Sequence, residues 1–351
     1  MSPLISAFVL LAQLSFACAS KDQFKHWFPD WNATLSNIIA QDCAQQYHDY
    51  LTNSTSSGTS AEWAMPVIDC MLDAVSEPTK ERMSSAAVVL GLTPTILSFL
   101  GSTTTETALL AIRRPLLSFL LAIGSPSVSV SRAFEYQELI EILRIREGRV
   151  PLPRFSSGGN ILVGFVEALL AFAAVANVVE LGHRLGMRTV STFLSGITFD
   201  YLLWSFLAVI LYLLGSLTLR LRTRELSRDR RRNLTQKLTY WIANEVTPSI
   251  CQNPMMLTRT PESYVFLLMS WLTAVGTVLH IVYGTVVLSG ILFISITDAL
   301  IVVARYIVST LCCRMILMYE LAGLREASQV QDSMDADAVE DIGISVVKNS
   351  S

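Results

Sequence analysis

Four ionisable residues interrupt apolar runs of this chain: Glu167, His280, Asp298 and Arg305. A charge in a bilayer is costly, so such residues mark ion or proton pathways unless a partner neutralises them. Glu167 falls about two helical turns into ILVGFVEALLAFAAVANVVEL (161–181), with Gly164, Ala168 and Ala171 on nearby faces. Functionally it reads as a protonatable carboxylate facing a cavity, as a proton-coupled transporter requires. Structurally it reads as a polar contact on a small-residue seam where helices approach closely, and the seam favours this second reading. Asp298 and Arg305 share a helix face two turns apart. Arg305 is expected at the cytosolic boundary, where its stem can snorkel. Asp298, placed deeper, needs a partner: Arg305 through water, His280, or another helix. A neutral or paired acid is expected there rather than an ion pathway. His280 reads as an interhelical donor rather than a ligand.

No other constellation suggests a reaction. Cys251, Cys312 and Cys313 lack CxxC spacing and have no neighbouring histidine, so neither a metal nor a cofactor is expected. No P-loop, dinucleotide glycine pattern, GxSxG, HExxH or kinase signature is present. Internal repeats are not apparent either, which weighs against inverted-repeat transporter folds. Cys312 and Cys313 lie in the amphipathic stretch RYIVSTLCCRMILMYELAGL, expected on the cytosolic surface over 305–325. They are candidates for S-palmitoylation, with ordinary helix packing as the alternative.

The elements that position these residues follow from composition. The 351 residues are 52% hydrophobic and only 16% charged, against about 25% charged in a soluble domain. Residues 1–19 have the short apolar core and Ala17-Cys18-Ala19 ending of a cleaved signal peptide, though without a basic n-region. Residues 20–83 then form a small luminal or extracellular segment. Its Cys43 and Cys70 are expected to pair, because an oxidising compartment permits it and so short a segment buries little apolar area. Trp27, Phe28, Trp31 and Trp63 are its expected core, with Trp27 to Trp31 resting on headgroups as the alternative. Asn32 and Asn53 head acceptor sequons for N-glycosylation.

Five spans are expected: 84–101, 161–181, 197–217, 264–283 and 285–304. The last two come from a 41-residue run, Tyr264 to Ala304, which as one helix would be roughly 60 Å long. A tight turn is therefore expected near Tyr283-Gly284. Segment 106–124, which contains ALLAIRRPLLSFLLAIG (108–124), is long enough to cross only with Arg113 and Arg114 near mid-membrane, at about 2.5–3.5 kcal/mol each. Charge asymmetry decides against crossing. With five spans and an external N-terminus, 20 of the 26 Lys and Arg fall in cytosolic segments. A sixth crossing would turn RLRTRELSRDRRR (220–232) outward, against the positive-inside rule. Segment 106–124 is thus expected to be re-entrant or interfacial, with the arginines at cytosolic headgroups and Pro115 opening a half-helix.

The cytosolic parts are then 102–160, the basic loop 218–263, and everything after residue 304. The basic loop is a topogenic charge cluster that can also recruit anionic lipid through 220–232; nucleic-acid binding is not expected so close to a bilayer. Residues 131–154 suggest an amphipathic helix, and the acidic tail 326–351 is expected to be disordered. On this reading Asn233 is a cytosolic sequon that stays unmodified.

The block LGLTPTILSFLGSTTTETALLAIRRPLLSFLLAIGSPSVSVSRAFEY (90–136) resembles a group of fungal multi-pass membrane proteins of unknown function. Their Leu-Gly-Leu-x-Pro-Thr segment is followed by a Glu and an Arg-Arg-Pro block. The resemblance extends more loosely to DALIVVARY (298–306) and ELAGLR (320–325), about half the chain in all, and it transfers no activity. The expectation is an all-α polytopic membrane protein, non-enzymatic, in contact with the lipid bilayer and binding partners at its ends. A small-solute or proton-coupled transporter is the alternative. Dispersal of Glu167, His280 and Asp298 onto separate packed faces favours the first; a shared polar cavity favours the second.

Overall fold

The computed structural model describes residues 23–53, 60–130, 157–193, 198–225, 234–252, 257–259 and 261–348. The expected signal peptide, the amphipathic helix at 131–154, most of the Arg-rich run 220–232, Asn233 and Asn349 lie outside the described residues. The fold is all-α with five helices long and apolar enough to cross a membrane, as a multi-pass membrane protein has.

The disulfide-closed unit comprises α1 (Asn32–Gln41), α2 (Ala44–Asn53) and α3 (Ser60–Ala74). Cys43 and Cys70 are bonded as expected. Phe24, Trp27, Leu35, Tyr50, Val67 and Met71 form its core with Met83, Val190 and Phe293 of the bundle. Trp27 is therefore core rather than headgroup contact. Trp31 and Trp63 pack at its margin, and Phe28 joins the bundle core beneath.

The first long helix, α4 (Glu77–Leu100), begins within this unit and carries Pro94 inside it. Next come two short helices, α5 (Thr104–Arg113) and α6 (Pro115–Gly124). Ser118 donates to the Thr107 carbonyl at 2.9 Å and Ser129 N–H to the Ser102 carbonyl at 3.0 Å, so α5 and α6 run antiparallel. Each has ten residues, about 15 Å, half of a hydrocarbon core. Three long helices follow: α7 (Ser157–Arg188), α8 (Asp200–Arg222) and α10 (Tyr264–Ser289). Between the last two lie α9 (Leu234–Val246) and a single 3₁₀ turn, Ser249–Cys251. The last helix, α11, runs Ile296–Lys348, its apolar part ending at Arg325.

Two antiparallel strand pairs mark opposite ends of the bundle. β1 (Val190–Ser191) pairs with β4 (Ile291–Leu292) under the disulfide unit, Val190 opposite Leu292. β2 (Thr223–Glu225) pairs with β3 (Leu257–Arg259) at the far end, Thr223 opposite Arg259. Along α7, Leu162, Phe165, Leu169 and Phe172 are exposed, as are Leu268, Leu272, Leu279 and Val282 on α10 and Leu300, Val308, Met315 and Met318 on α11. Apolar faces this extensive belong against acyl chains.

Four expectations differ from the structure. The break in Tyr264–Ala304 falls at Gly290–Ser295, not at Tyr283-Gly284. Gly284 stays helical because it is a packing site: a Cβ there would lie 2.2 Å from the Trp204 indole nitrogen and 2.9 Å from Pro94. Ser295 then opens α11, its hydroxyl accepting from Asp298 N–H at 3.1 Å and meeting the Asp298 carboxylate at 3.2 Å. Since α11 starts at Ile296 rather than residue 285, the stretch 305–325 is the second part of a helix long and apolar enough to cross a membrane, not a separate surface amphipathic helix. The tail expected to be disordered continues this helix to Lys348; no proline follows Pro261 to stop it. Lastly, the segment expected as a loop over 218–263 is largely built, from the end of α8 through β2, α9 and β3.

Candidate functional site

At the bundle end away from the disulfide unit, the turn between α5 and α6 inserts Arg114 among three helices. The local sequence explains the turn. Thr103 and Glu106 form a reciprocal capping box that starts α5, and Pro115 occupies the first turn of α6, where its missing N–H is harmless. Arg114 is 1% exposed. Its Nη1 donates to Glu167 Oε2 of α7 at 2.5 Å and lies 2.8 Å from Glu320 Oε1 of α11. Its Nε donates to the Glu245 carbonyl of α9 at 3.0 Å.

Each acid has further bonds. Glu320 Oε2 accepts from the Ser249 hydroxyl at 2.5 Å. Glu245 Oε1 accepts from the Leu117 N–H at 2.6 Å. Burial pushes the Glu245 carboxyl above the ordinary carboxylate range, opposed by hydrogen bonds from the Leu117 and Leu116 backbone and by the Arg114 charge. Beside the cluster, Arg314 pairs with both oxygens of Glu106, tying α11 to the start of α5. Arg113 is also buried. The arginine pair, expected at headgroups, is thus sequestered inside protein, and for Arg114 the acids on α7, α9 and α11 supply the polar shell.

The four residues singled out in sequence do not converge. Glu167 belongs to the Arg114 cluster. His280 is at mid-height, its Nε2 3.0 Å from the Pro126 carbonyl and its ring stacked on Trp204 at 5.7 Å. Asp298 sits at the N-terminus of α11, where its Oδ2 also accepts from the Asp30 N–H at 3.2 Å; neither Arg305 nor His280 is its partner. Arg305 lies in the half nearer the disulfide unit, not at the opposite boundary. Its Nε donates to Asn177 Oδ1 at 2.8 Å, and it pairs with Glu180. Asn177 Nδ2 returns the contact to Ser309 Oγ at 2.8 Å. Glu180 is thus half of an α7–α11 seam.

The cysteine pair separates too. Cys313 is buried against Gly124, where a Cβ would meet its Sγ at 2.8 Å, and Cys312 is half-buried beside it. Packing, the alternative to acylation, describes Cys313. Among the described residues no group of His, Cys, Asp and Glu could hold a metal ion. Asn32 opens α1 with its Oδ1 accepting from Trp27 N–H at 2.9 Å, and Asn53 ends α2, both in the disulfide unit.

Comparison with protein-family models, curated proteins and solved structures finds no match to this chain. The resembling block nevertheless has a clear physical content. Gly91 lets α4 approach α10, a Cβ there meeting Ser289 Cβ at 2.8 Å, and the Pro94 carbonyl accepts from Ser127 at 3.3 Å. With Glu106, Arg114 and Pro115, these are the joints that seat the α5–α6 hairpin.

Proposed function

We propose that this chain is a non-enzymatic multi-pass membrane protein that acts by binding partners at its two aqueous ends. The disulfide unit faces the lumen or exterior, and the β2–β3 end, α9 and the Arg114 tip of the α5–α6 hairpin face the cytosol; α6 re-enters from that side only as far as mid-height, where Pro126 meets His280. Signal cleavage, glycosylation at Asn32 and Asn53, anionic-lipid recruitment by 220–232 and kinship with the fungal group belong to the same proposal. One observation carries it: Glu167, His280, Asp298 and Arg305 are held by different partners at different heights, so they serve as helix pins rather than steps of a path.

A second reading has one observation in its favour. A single guanidinium, Arg114, faces two buried carboxylates, and Glu167 Oε1 has no hydrogen-bond partner, so the cluster could hold an exchangeable proton. Proteoliposomes loaded with a pH-sensitive dye separate the two. The expected result is proton flux equal to that of empty liposomes under an imposed pH gradient. Flux above that level that disappears in Glu167→Gln would establish transport instead.

A further inference from the structure

Helix α9 is fastened to the bundle through its last turn. Glu245 Oε1 accepts from the Leu117 N–H at 2.6 Å, and the Glu245 carbonyl accepts from Arg114 Nε at 3.0 Å. The Asn244 carbonyl accepts from Gln252 Nε2 at 2.7 Å. The Val246 carbonyl lies against α7, where a Cβ on Gly164 would come within 2.2 Å of it. A different face of α9 points away from the protein. Thr239, Ile242, Ala243 and Val246 fall at i, i+3, i+4 and i+7, and all four are exposed. Trp241 flanks this face; it is 42% exposed, with Ile242 at 49% and Val246 at 46%.

The height of α9 on the bundle identifies what covers that face. Near the disulfide unit, Glu180 and Arg184 of α7 pair with each other. Gly164, which meets the end of α9, lies 20 residues before Arg184. At 1.5 Å per residue that is about 30 Å, one hydrocarbon thickness. A second helix gives the same answer. Glu320 of α11 accepts from the N–H and hydroxyl of Ser249, just after α9, and it lies 22 residues beyond Asp298, about 33 Å. The last turn of α9 is therefore at the edge of the hydrocarbon layer.

The lipid-facing surface of α7 reaches the same level. Ile161 and Phe165, on either side of Gly164 in sequence, are both exposed, so the apolar face of α9 adjoins an apolar face already assigned to acyl chains. Tyr264, which opens α10 at this end, is 91% exposed. Trp241 and Tyr264 thus place two amphipathic aromatic rings at the boundary, where such rings gather at the headgroup level of a bilayer. In water, an exposed Trp-Ile-Val surface would be a site of aggregation; at this height it has a leaflet to enter.

We propose that α9 is an interfacial helix, bound to the headgroup and upper acyl region of the adjacent leaflet through Trp241, Ile242 and Val246. A short amphipathic helix held in that plane buries its apolar side a few ångströms below the headgroups and leaves its polar side to water or protein. Here the polar side carries Glu245, so a helix seated on the leaflet also braces the hairpin tip through the Leu117 N–H and Arg114. This goes beyond the partner-binding reading by assigning the surface to lipid rather than to a soluble protein. It holds whichever side of the membrane this end faces, and it is independent of the flux measurement.

The test is fluorescence quenching of the full chain in phosphatidylcholine nanodiscs, which leave both membrane faces open to solutes. Subtracting the emission of Trp241→Phe isolates Trp241 from the other five tryptophans. Phosphatidylcholine brominated near the headgroup end of its chains is expected to quench that difference by at least half. Lipid brominated near the chain ends should quench it less, and iodide should quench it less than it quenches free tryptophan. Full iodide quenching with none from either brominated lipid would mark the face as open to water and free for a soluble partner, and overturns the proposal. Stronger quenching by the chain-end bromines would put Trp241 deep in the bilayer and overturns it too. A phosphatidylcholine with a photoactivatable diazirine high on its acyl chain gives a reading on the unaltered protein. Peptides covering 239–246 are expected to carry crosslinked lipid alongside those of α7 and α10. Crosslinks to α7 and α10 with none in 239–246 overturn the proposal whether or not the variant folds.

Discussion

Arg114 is the residue on which the buried half of the bundle turns, and the consequence of removing it follows from what it leaves behind. Truncating one member of a buried ion cluster strands the others without compensation, a loss of about 3–5 kcal/mol. Arg114→Ala is therefore expected to abolish the monodisperse peak in fluorescence-detected size exclusion. Arg114→Lys should recover it only in part, because an ammonium is a compact charge and does not reproduce the planar fork facing Glu167, Glu320 and the Glu245 carbonyl. A triple replacement, Arg114→Met/Glu167→Gln/Glu320→Gln, removes the charges together and should restore stability beyond Arg114→Ala. Glu245 adds a pH dependence. Its carboxyl is raised by burial, so the folded state holds the proton more tightly than the unfolded chain does. Stability from this group is present at low pH and is lost as pH rises through the folded value. Glu245→Gln keeps an acceptor for Leu117 N–H without the titration. Its melting temperature should exceed that of the unaltered protein at pH 8, and the difference should shrink at pH 5. Identical profiles for the two proteins would count against this assignment.

At the scale of elements, the sequence revealed span content better than span limits. Hydropathy located every long helix, because apolar runs of this length have few other uses. It misplaced the α10–α11 turn because run length alone divides Tyr264–Ala304 near its middle, where Gly284, whose lack of a side chain serves Trp204 and Pro94, lies inside a helix. The correct signal was Ser295-x-x-Asp298, a capping pattern that assigns Asp298 to a helix start rather than to mid-membrane. That one shift also moved Arg305 from one boundary to the other half, where Glu180 was available. The Arg114 cluster was only half legible: Glu167 and the Arg-Arg-Pro turn stood out, while Glu320 falls in a stretch that reads as a surface amphipathic helix and Glu245 in one that reads as a cytosolic loop, so neither signalled burial. Ser295→Ala tests the revised start of α11. Loss of an N-cap lowers stability by about 1 kcal/mol, so a small, reproducible decrease in detergent melting temperature is expected, whereas Ser289→Ala, at the end of α10, should have less effect.

The molecule as a whole is polarised. A disulfide-closed unit caps one end, and a charge-rich assembly of hairpin tip, α9 and the β2–β3 pair closes the other. The Cys43–Cys70 bond fits an oxidising compartment, and the described geometry puts Asn32 and Asn53 at that same end. In the proposed orientation, charge asymmetry assigns the basic end to the cytosol. The α5–α6 hairpin reconciles these two statements: its helices are too short to cross, and its tip reaches the far end without changing the side on which α7 begins. On that proposal, five crossings separate the two termini of the bundle. Glycosylation mapping tests the entire arrangement in one protein. Asn32 and Asn53 should each add an endoglycosidase-sensitive mobility shift that Asn→Gln removes, and Asn233 should add none. Modification of Asn233 together with Asn32 would place both ends of the bundle on one side of the membrane. It would require the hairpin segment to cross, dismantling the re-entrant turn and the orientation with it.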